Sequence, residues 1–175
     1  MASLFTHPIV PITIGYALGS RRLPVRYWVL GAIASMAADA DVIAFALRIP
    51  YEAPFGHRGA THSIVFAIAL AAALTAREWR HVSARMLLFG YLFLSAVSHP
   101  LLDMLTDGGL GIAIFWPFSN ERFFFPRTPI EVSPIGAAFF STDGMNVLLS
   151  ELKWVWLPCA ALMILTRAVR RSPAA

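Results

Sequence analysis

The sequence predicts an all-α, polytopic membrane bundle of about four to five transmembrane helices, and three observations carry that expectation. Of the 175 residues, 58% are hydrophobic and only 14% charged, more apolar than an ordinary water-soluble domain. The apolar residues gather into stretches at about 8–19, 27–49, 60–76, 84–106 and 154–169, and a helix that crosses a bilayer core needs roughly 17–25 such residues. The basic residues sit in short runs between those stretches, where they act as orientation signals.

The elements follow in order. The first stretch is short and carries Pro8 and Pro11, which predicts a tilted or partly inserted helix. No basic segment precedes it, and Arg21 and Arg22 come after it, so it reads as a retained segment and not a cleaved leader. The second, third and fourth stretches are long enough to span. The fifth reaches spanning length only by drawing on flanking residues such as Leu152 or Arg170. Between about 107 and 151 the chain is rich in Gly, Pro and aromatics and poor in helical period, which predicts a folded extracytoplasmic loop with short interfacial elements. Trp116, Phe118 and the run Phe123 to Phe125 suit the headgroup level, where aromatic rings are enriched. There is no internal repeat, so residues 1–175 read as one integral membrane domain.

Orientation comes from counting Lys and Arg. One set collects Arg21, Arg22, Arg26, Arg77, Arg80, Arg85, Arg167, Arg170 and Arg171 in short segments; the other spreads Arg48, Arg58, Arg122, Arg127 and Lys153 over longer loops. The positive-inside rule places the first set in the cytoplasm, the N-terminus outside and the C-terminus inside. The net charge of +4 does not imply a nucleic-acid partner, because no basic stripe with interleaved aromatics is present. The single cysteine, Cys159, has no partner in the chain for a disulfide and reads as a packed small side chain.

The ionisable residues that fall in or beside the apolar stretches are the main functional signal. One aspartate at the centre of a membrane helix costs roughly 2.5–3.5 kcal/mol on insertion scales, so Asp39, Asp41 and Asp103 require compensation. With the topology above, they and His7, His57, His62 and His99 all gather toward the outer leaflet from four different segments, which points to one shared site. His99 and Asp103 in SHPLLD are four apart, so a helix stacks them on one face; Pro100 between them predicts some distortion. Imidazole with carboxylate suits zinc, manganese or iron better than calcium. Asp39 and Asp41 lie about 200° apart around a regular helix, so one is expected to be a ligand and the other a supporting group unless the helix breaks there. In HRGATHS, residues 57–63, Thr61 is the expected N-cap of the following helix and His62 its first turn. Arg58 carries the planar fork that matches a phosphate, or else pairs with Glu52 or Asp103, and His57 is a ligand or a general acid/base. His81 lies in a basic cytoplasmic loop and reads as silent.

The order THP (6–8), DAD (39–41), HRGATHS (57–63), SHPLLD (98–103) and WPFSNERFFFP (116–126) resembles the YdjM-like family of bacterial inner-membrane proteins described as metal-dependent hydrolases. More distantly, the series is similar to the ligand order of zinc-dependent phospholipase C and the P1-type nucleases. The resemblance implies His7, Asp41, His62, His99 and Asp103 as metal ligands, with Asp39 beside them. No histidine follows His99 in its half of the pattern, so it implies one or two ions and not a three-metal cluster.

Together these readings predict a membrane-bound hydrolase holding one or two divalent ions, zinc first, with manganese or iron able to replace it. His57 and Arg58 are the expected catalytic residues, and the expected substrate is a lipid or lipid-linked phosphoester at the outer leaflet. A metal-ion or proton transporter or channel is the alternative and predicts a polar path across the inner helix halves, which carry almost nothing polar. A non-catalytic scaffold tied together by a closed metal site is the third reading.

Overall fold

The computed structural model describes residues 1–171, and the described residues form a helical membrane bundle with no strand. The chain runs through α1 (Ile9–Leu18), α2 (Val25–Met36), α3 (Ile43–Ala46), α4 (Ile64–Arg77), α5 (Arg85–Asp103), α6 (Thr142–Glu151) and α7 (Leu157–Arg171). Helix α2 passes through a 3-10 turn, Ala37–Val42, into α3, and α6 passes through a π-helical turn, Leu152–Trp156, into α7. Three continuous helices are long and apolar enough to cross a membrane: Val25–Ala46, Arg85–Asp103 and Thr142–Arg171; Ile9–Leu18 and Ile64–Arg77 are shorter apolar helices.

The last helix is longer than the apolar stretch that marks it. It starts at Thr142, inside the segment that composition assigns to a loop, with Asp143 in its first turn. Its π turn lies just before Pro158. A proline has no N–H to give and its ring crowds the carbonyl four residues back, so the ladder shifts register there without ending. Pro100 is accommodated differently, since α5 runs through it as one helix to Asp103.

Lipid chains are as apolar as leucine, so small residues that allow close backbone approach do much of the work of helix association in a bilayer. A Cβ on Gly15 would lie 2.6 Å from the Trp28 ring, and a Cβ on Gly31 would lie 2.3 Å from the Tyr91 hydroxyl. That hydroxyl donates to the Pro11 carbonyl at 3.1 Å, which ties α5 to α1 where α2 passes between them. Leu23, Tyr27, Ala34, Ala71, Leu88, Tyr91 and Leu92 form the core of this half of the bundle.

The two ends of the bundle differ. At one end, Arg170 donates to the Ala17 carbonyl and Arg26 to the His81 carbonyl, so the α1–α2 loop, the α4–α5 loop and the C-terminal part of α7 lie together with most of the basic residues. At the other end, the segment after α5 folds over the helix ends through isolated bridges, Thr106 with Ile130 and Ile112 with Phe123. Ile112, Ala113, Ile114 and Ile130 are buried beneath it. Of its aromatics, Phe118, Phe124 and Phe125 lie on the surface, whereas Phe123 packs on Met104, Ile112 and Ile114.

Because Gly31 faces the Tyr91 ring with no room for a side chain, Gly31→Val is expected to destabilise the bundle by about 1–3 kcal/mol. Thermal unfolding in detergent checks this against Gly90→Ala, where an added Cβ meets nothing within 4 Å and Tm is expected to hold or rise.

Candidate metal centre

Four buried side chains from three segments converge at the covered end of the bundle. Asp39 comes from the 3-10 turn after α2, His62 from the short 3-10 turn Ala60–His62 before α4, and His99 and Asp103 from the last turns of α5. One ligand atom from each lies within 4.8 Å of all the others. Asp39 also belongs to a second such group with Asp41 and His57.

The protonation of the two central imidazoles follows from their other partners. His99 Nδ1 lies 2.6 Å from the Ser35 carbonyl, which can only accept, so Nδ1 carries the hydrogen. His62 Nδ1 lies 3.1 Å from Asp41 Oδ2 and donates to that carboxylate. The two Nε2 atoms face each other at 3.1 Å. His99 Nε2 is 3.3 Å from Asp39 Oδ1, and His62 Nε2 is 3.6 Å from Asp103 Oδ2. Nitrogen and carboxylate oxygen atoms at this spacing repel one another unless a proton or a metal cation sits among them. Bonds of about 2.0–2.2 Å around a tetrahedral zinc set ligand atoms about 3.3–3.6 Å apart; the histidine and aspartate atoms here are 3.1–3.9 Å apart, close to that spacing. Both Asp39 oxygens and Asp103 Oδ2 are buried without a hydrogen-bond partner, as unfilled ligand atoms would be. Three buried aspartates gather here, with the Arg58 guanidinium 3.5 Å from Asp103 and Arg122 near Asp41, a concentration of carboxylates that a cation would offset.

Asp41 holds the surroundings of the cluster in place. Its carboxylate accepts from His57 Nδ1 at 2.6 Å, from the Arg58 backbone N–H at 3.0 Å and from the Thr61 hydroxyl at 2.7 Å, besides His62. This carboxylate–histidine contact fixes the ring whose other nitrogen faces the cluster. Thr61 is thus occupied with Asp41, and the N-cap of α4 is Ser63, whose hydroxyl accepts from Phe66 N–H at 3.1 Å. His62 accordingly precedes the helix instead of opening it. The break in α2 lets Asp39 and Asp41 serve adjoining groups, Asp39 among the four convergent atoms and Asp41 behind His62.

Arg58 is fully buried and its backbone is left-handed, with φ 61°, a conformation that costs a non-glycine residue about 1–2 kcal/mol. Its side chain donates to the Gly108 carbonyl at 2.7 Å and the Thr106 hydroxyl at 3.2 Å, and Nε lies 3.5 Å from Asp103 Oδ2. The pairing with Asp103 is the one realised of the two that the sequence offers. Gly109, at φ 90°, leaves room for it, since a Cβ there would lie 2.6 Å from the guanidinium.

His7 stacks on His99 with ring centroids 3.7 Å apart, and its Nε2 lies 3.6 Å from Asp103 Oδ1. Burial, with the neighbouring His99 ring, holds His7 down to about 3, so the ring is neutral. Neither of its nitrogens has a hydrogen-bond partner.

Two supporting residues escape a reading of the sequence alone. Glu151 is fully buried and accepts from the Ser3 backbone N–H, the Ser3 hydroxyl and the Thr6 hydroxyl, which pins the turn that delivers His7. The only signal for it is a lone carboxylate next to the fifth apolar stretch. Arg122 donates to the carbonyls of His57 at 3.1 Å and Tyr51 at 2.9 Å and so holds the loop that carries His57 and Arg58. Nothing in its local sequence separates it from the other loop arginines.

Comparison with known proteins agrees with this picture of a membrane protein. Residues 1–173 match the profile of a family described as YdjM inner membrane protein. The chain is 44% identical over 167 residues to Inner membrane protein YbcI of Escherichia coli (strain K12), an alignment that covers 93% of this chain and 95% of that one. No solved structure matches.

If Asp41 orients the metal-facing imidazole, Asp41→Asn is expected to lower affinity for zinc by about 10–100-fold with the helix content kept. A competitive zinc titration with circular dichroism checks this. Asp107→Asn, which removes a carboxylate charge outside the cluster but keeps an oxygen to accept from the Val132 N–H, is the comparison expected to bind zinc as the unaltered chain does.

Proposed function

The chain belongs to the YdjM family of inner membrane proteins, and from that premise we propose that it is a metal-dependent hydrolase acting on a phosphoester at the outer leaflet. The observation that carries the reading is the convergence of the His62 and His99 Nε2 atoms, 3.1 Å apart, with the unpartnered oxygens of Asp39 and Asp103. Asp39, His62, His99 and Asp103 hold one divalent ion, with His7 stacked beside them. Zinc fits this mixed nitrogen and oxygen set, and manganese or iron accepts it too. A bound divalent ion supplies Lewis acidity: it lowers the pKa of a water toward neutrality and offsets charge on a phosphoryl oxygen.

The chain's own residues supply the rest. His57 shares its Nδ1 hydrogen with Asp41, so Nε2 is the atom that accepts a proton from the attacking water. The water oxygen bonds to phosphorus, the ester P–O bond breaks, and the proton held at His57 Nε2 passes to the departing alkoxide. Asp41 remains ionised and steadies the imidazolium that forms in between. Arg58, with its guanidinium 3.5 Å from Asp103, holds that carboxylate in place and adds positive charge behind the site. The folded segment over residues 104–130 screens the cluster from bulk water. In the orientation set by the basic loops, the cluster faces the extracytoplasmic side, and lipid or lipid-linked phosphoesters lie at that depth.

The transport alternative requires polar groups leading from the cluster to the opposite face. Below the cluster the core is mostly apolar, with Ala34, Ala71, Leu88 and Leu92, and the buried hydroxyls of Ser35 and Ser95 are taken up by carbonyls of their own helices, which weighs against such a path.

The experiment is metal content by mass spectrometry on the purified chain beside His99→Ala and Asp103→Ala, followed by a phosphoester screen of the zinc-loaded protein. The expected outcome is near-stoichiometric zinc in the unaltered chain, loss of most of it in both variants, and hydrolysis that His57→Ala reduces by about 100-fold or more with zinc retained. A well-folded chain that binds no divalent metal would sink this reading.

A further inference from the structure

An apolar groove leads to Asp39 from the side of the bundle. It lies between the N-terminal turn, the 3-10 turn of residues 37–42 and the segment around residues 133–140, encloses about 350 Å³, and is walled by Phe5, Val42, Ile135, Phe139 and Phe140. Asp39 is the one charged side chain on its lining among the described residues. Phe5, Phe139 and Phe140 also wall a second cavity of about 610 Å³ that continues along Met145, Leu148 and Trp156 of the last helix and has no charged lining residue. These adjoining cavities form a track of apolar lining that has one carboxylate of the candidate metal centre in it.

We infer that this track holds the hydrocarbon chain of a long-chain amphiphile, whose phosphoester head lies at Asp39. The inference rests on the hydrolase reading for the head group, because an anionic head would be repelled by the Asp39 carboxylate unless a cation lay between them. The chain's position rests on separate observations. The track is within the range of ligand cavities, about 300–1,000 Å³. Its walls stay open to the surroundings, with Phe140 84% and Ile135 47% exposed, and in a membrane those surroundings are themselves long-chain amphiphiles. Its inner end carries the buried Asp39 carboxylate, both of whose oxygens lack a hydrogen-bond partner. Mostly apolar walls with a few polar groups, Asp39, Ser3 and Ser133 among them, match an amphiphile. Ile135, Phe139 and Phe140 then determine how long a chain is accepted and touch no group of the metal cluster.

The test uses the full chain, zinc-loaded, in nanodiscs of phosphatidylethanolamine and phosphatidylglycerol. Dodecyl phosphate carrying a diazirine at the chain end is photolysed and its adducts mapped by mass spectrometry. Adducts are expected on Phe5, Ile135, Phe139, Phe140 or Met145, reduced at least fivefold by excess unlabelled dodecyl phosphate. Ile135→Trp, which fills the groove, and Phe140→Asp, which puts a charge on it at an exposed position, are each expected to cut that labelling at least fivefold. In parallel, p-nitrophenyl alkyl phosphates from ethyl to dodecyl are hydrolysed. The expected kcat/KM rises about fourfold per methylene until the track is filled, and Ile135→Trp removes the rise. Adducts confined to the lipid-facing sides of α4 and α5, labelling unmoved by either variant, or cross-links that join two copies of the chain through the groove would each overturn the inference. Groove labelling without hydrolysis of any ester would leave the track standing and overturn the hydrolase reading; hydrolysis indifferent to chain length and to Ile135→Trp would do the reverse.

Discussion

The structure depends on one electrostatic constraint, the concentration of Asp39, Asp41 and Asp103 at one end of an otherwise apolar bundle. Three buried carboxylates against the guanidinium of Arg58 are unfavourable in a low-dielectric setting. Much of the local geometry at that end serves to manage them. Asp41 is surrounded by donors from His57, Arg58, Thr61 and His62, and Asp103 accepts from the Ala2 backbone N–H at 2.6 Å. The oxygens left without donors are those of Asp39 and one of Asp103, and they face the Nε2 atoms of His62 and His99. What remains unsatisfied is thus gathered at a single point.

Departures from regular backbone occur where this constraint acts. Helix α2 tightens into a 3-10 turn at the two aspartates, and Arg58 sits in the left-handed region. The far half of the bundle is built differently. There Gly15 and Gly31 admit the rings of Trp28 and Tyr91, and the helices pack closely on apolar contacts. A rigid apolar half carries an irregular polar half, a division in keeping with a site that has to hold several side chains within a few tenths of an ångström.

The covering segment connects these halves to function. It contributes Thr106 and Gly108 as acceptors for Arg58, Ile114 as the acceptor for the Ile64 N–H at the start of α4, and Arg122 as the clamp on the loop that carries His57. The chain just beyond it, around residues 133–140, lines the apolar groove that also contains Asp39. Neighbouring stretches of chain thus order the polar groups and line the apolar cavity beside them.

The sequence by itself determined the all-helical membrane character and the gathering of Asp39, Asp41, His62, His99 and Asp103, because apolar length and the placement of charges within apolar stretches are local properties that hydropathy and the positive-inside rule can read. The i, i+4 spacing of His99 and Asp103 is local in the same sense. Only the tertiary structure decided which aspartate joins the convergent four, since that depends on a break in α2 that no residue between Ala37 and Val42 announces. It also decided that Ser63 and not Thr61 caps α4, because Thr61 is drawn to a carboxylate twenty residues earlier in the chain. Glu151 and Arg122 were illegible for the same reason. Their roles rest on partners 145 to 148 and 64 to 71 residues away, and contacts at such separation are set by how helices pack, which local pattern does not encode.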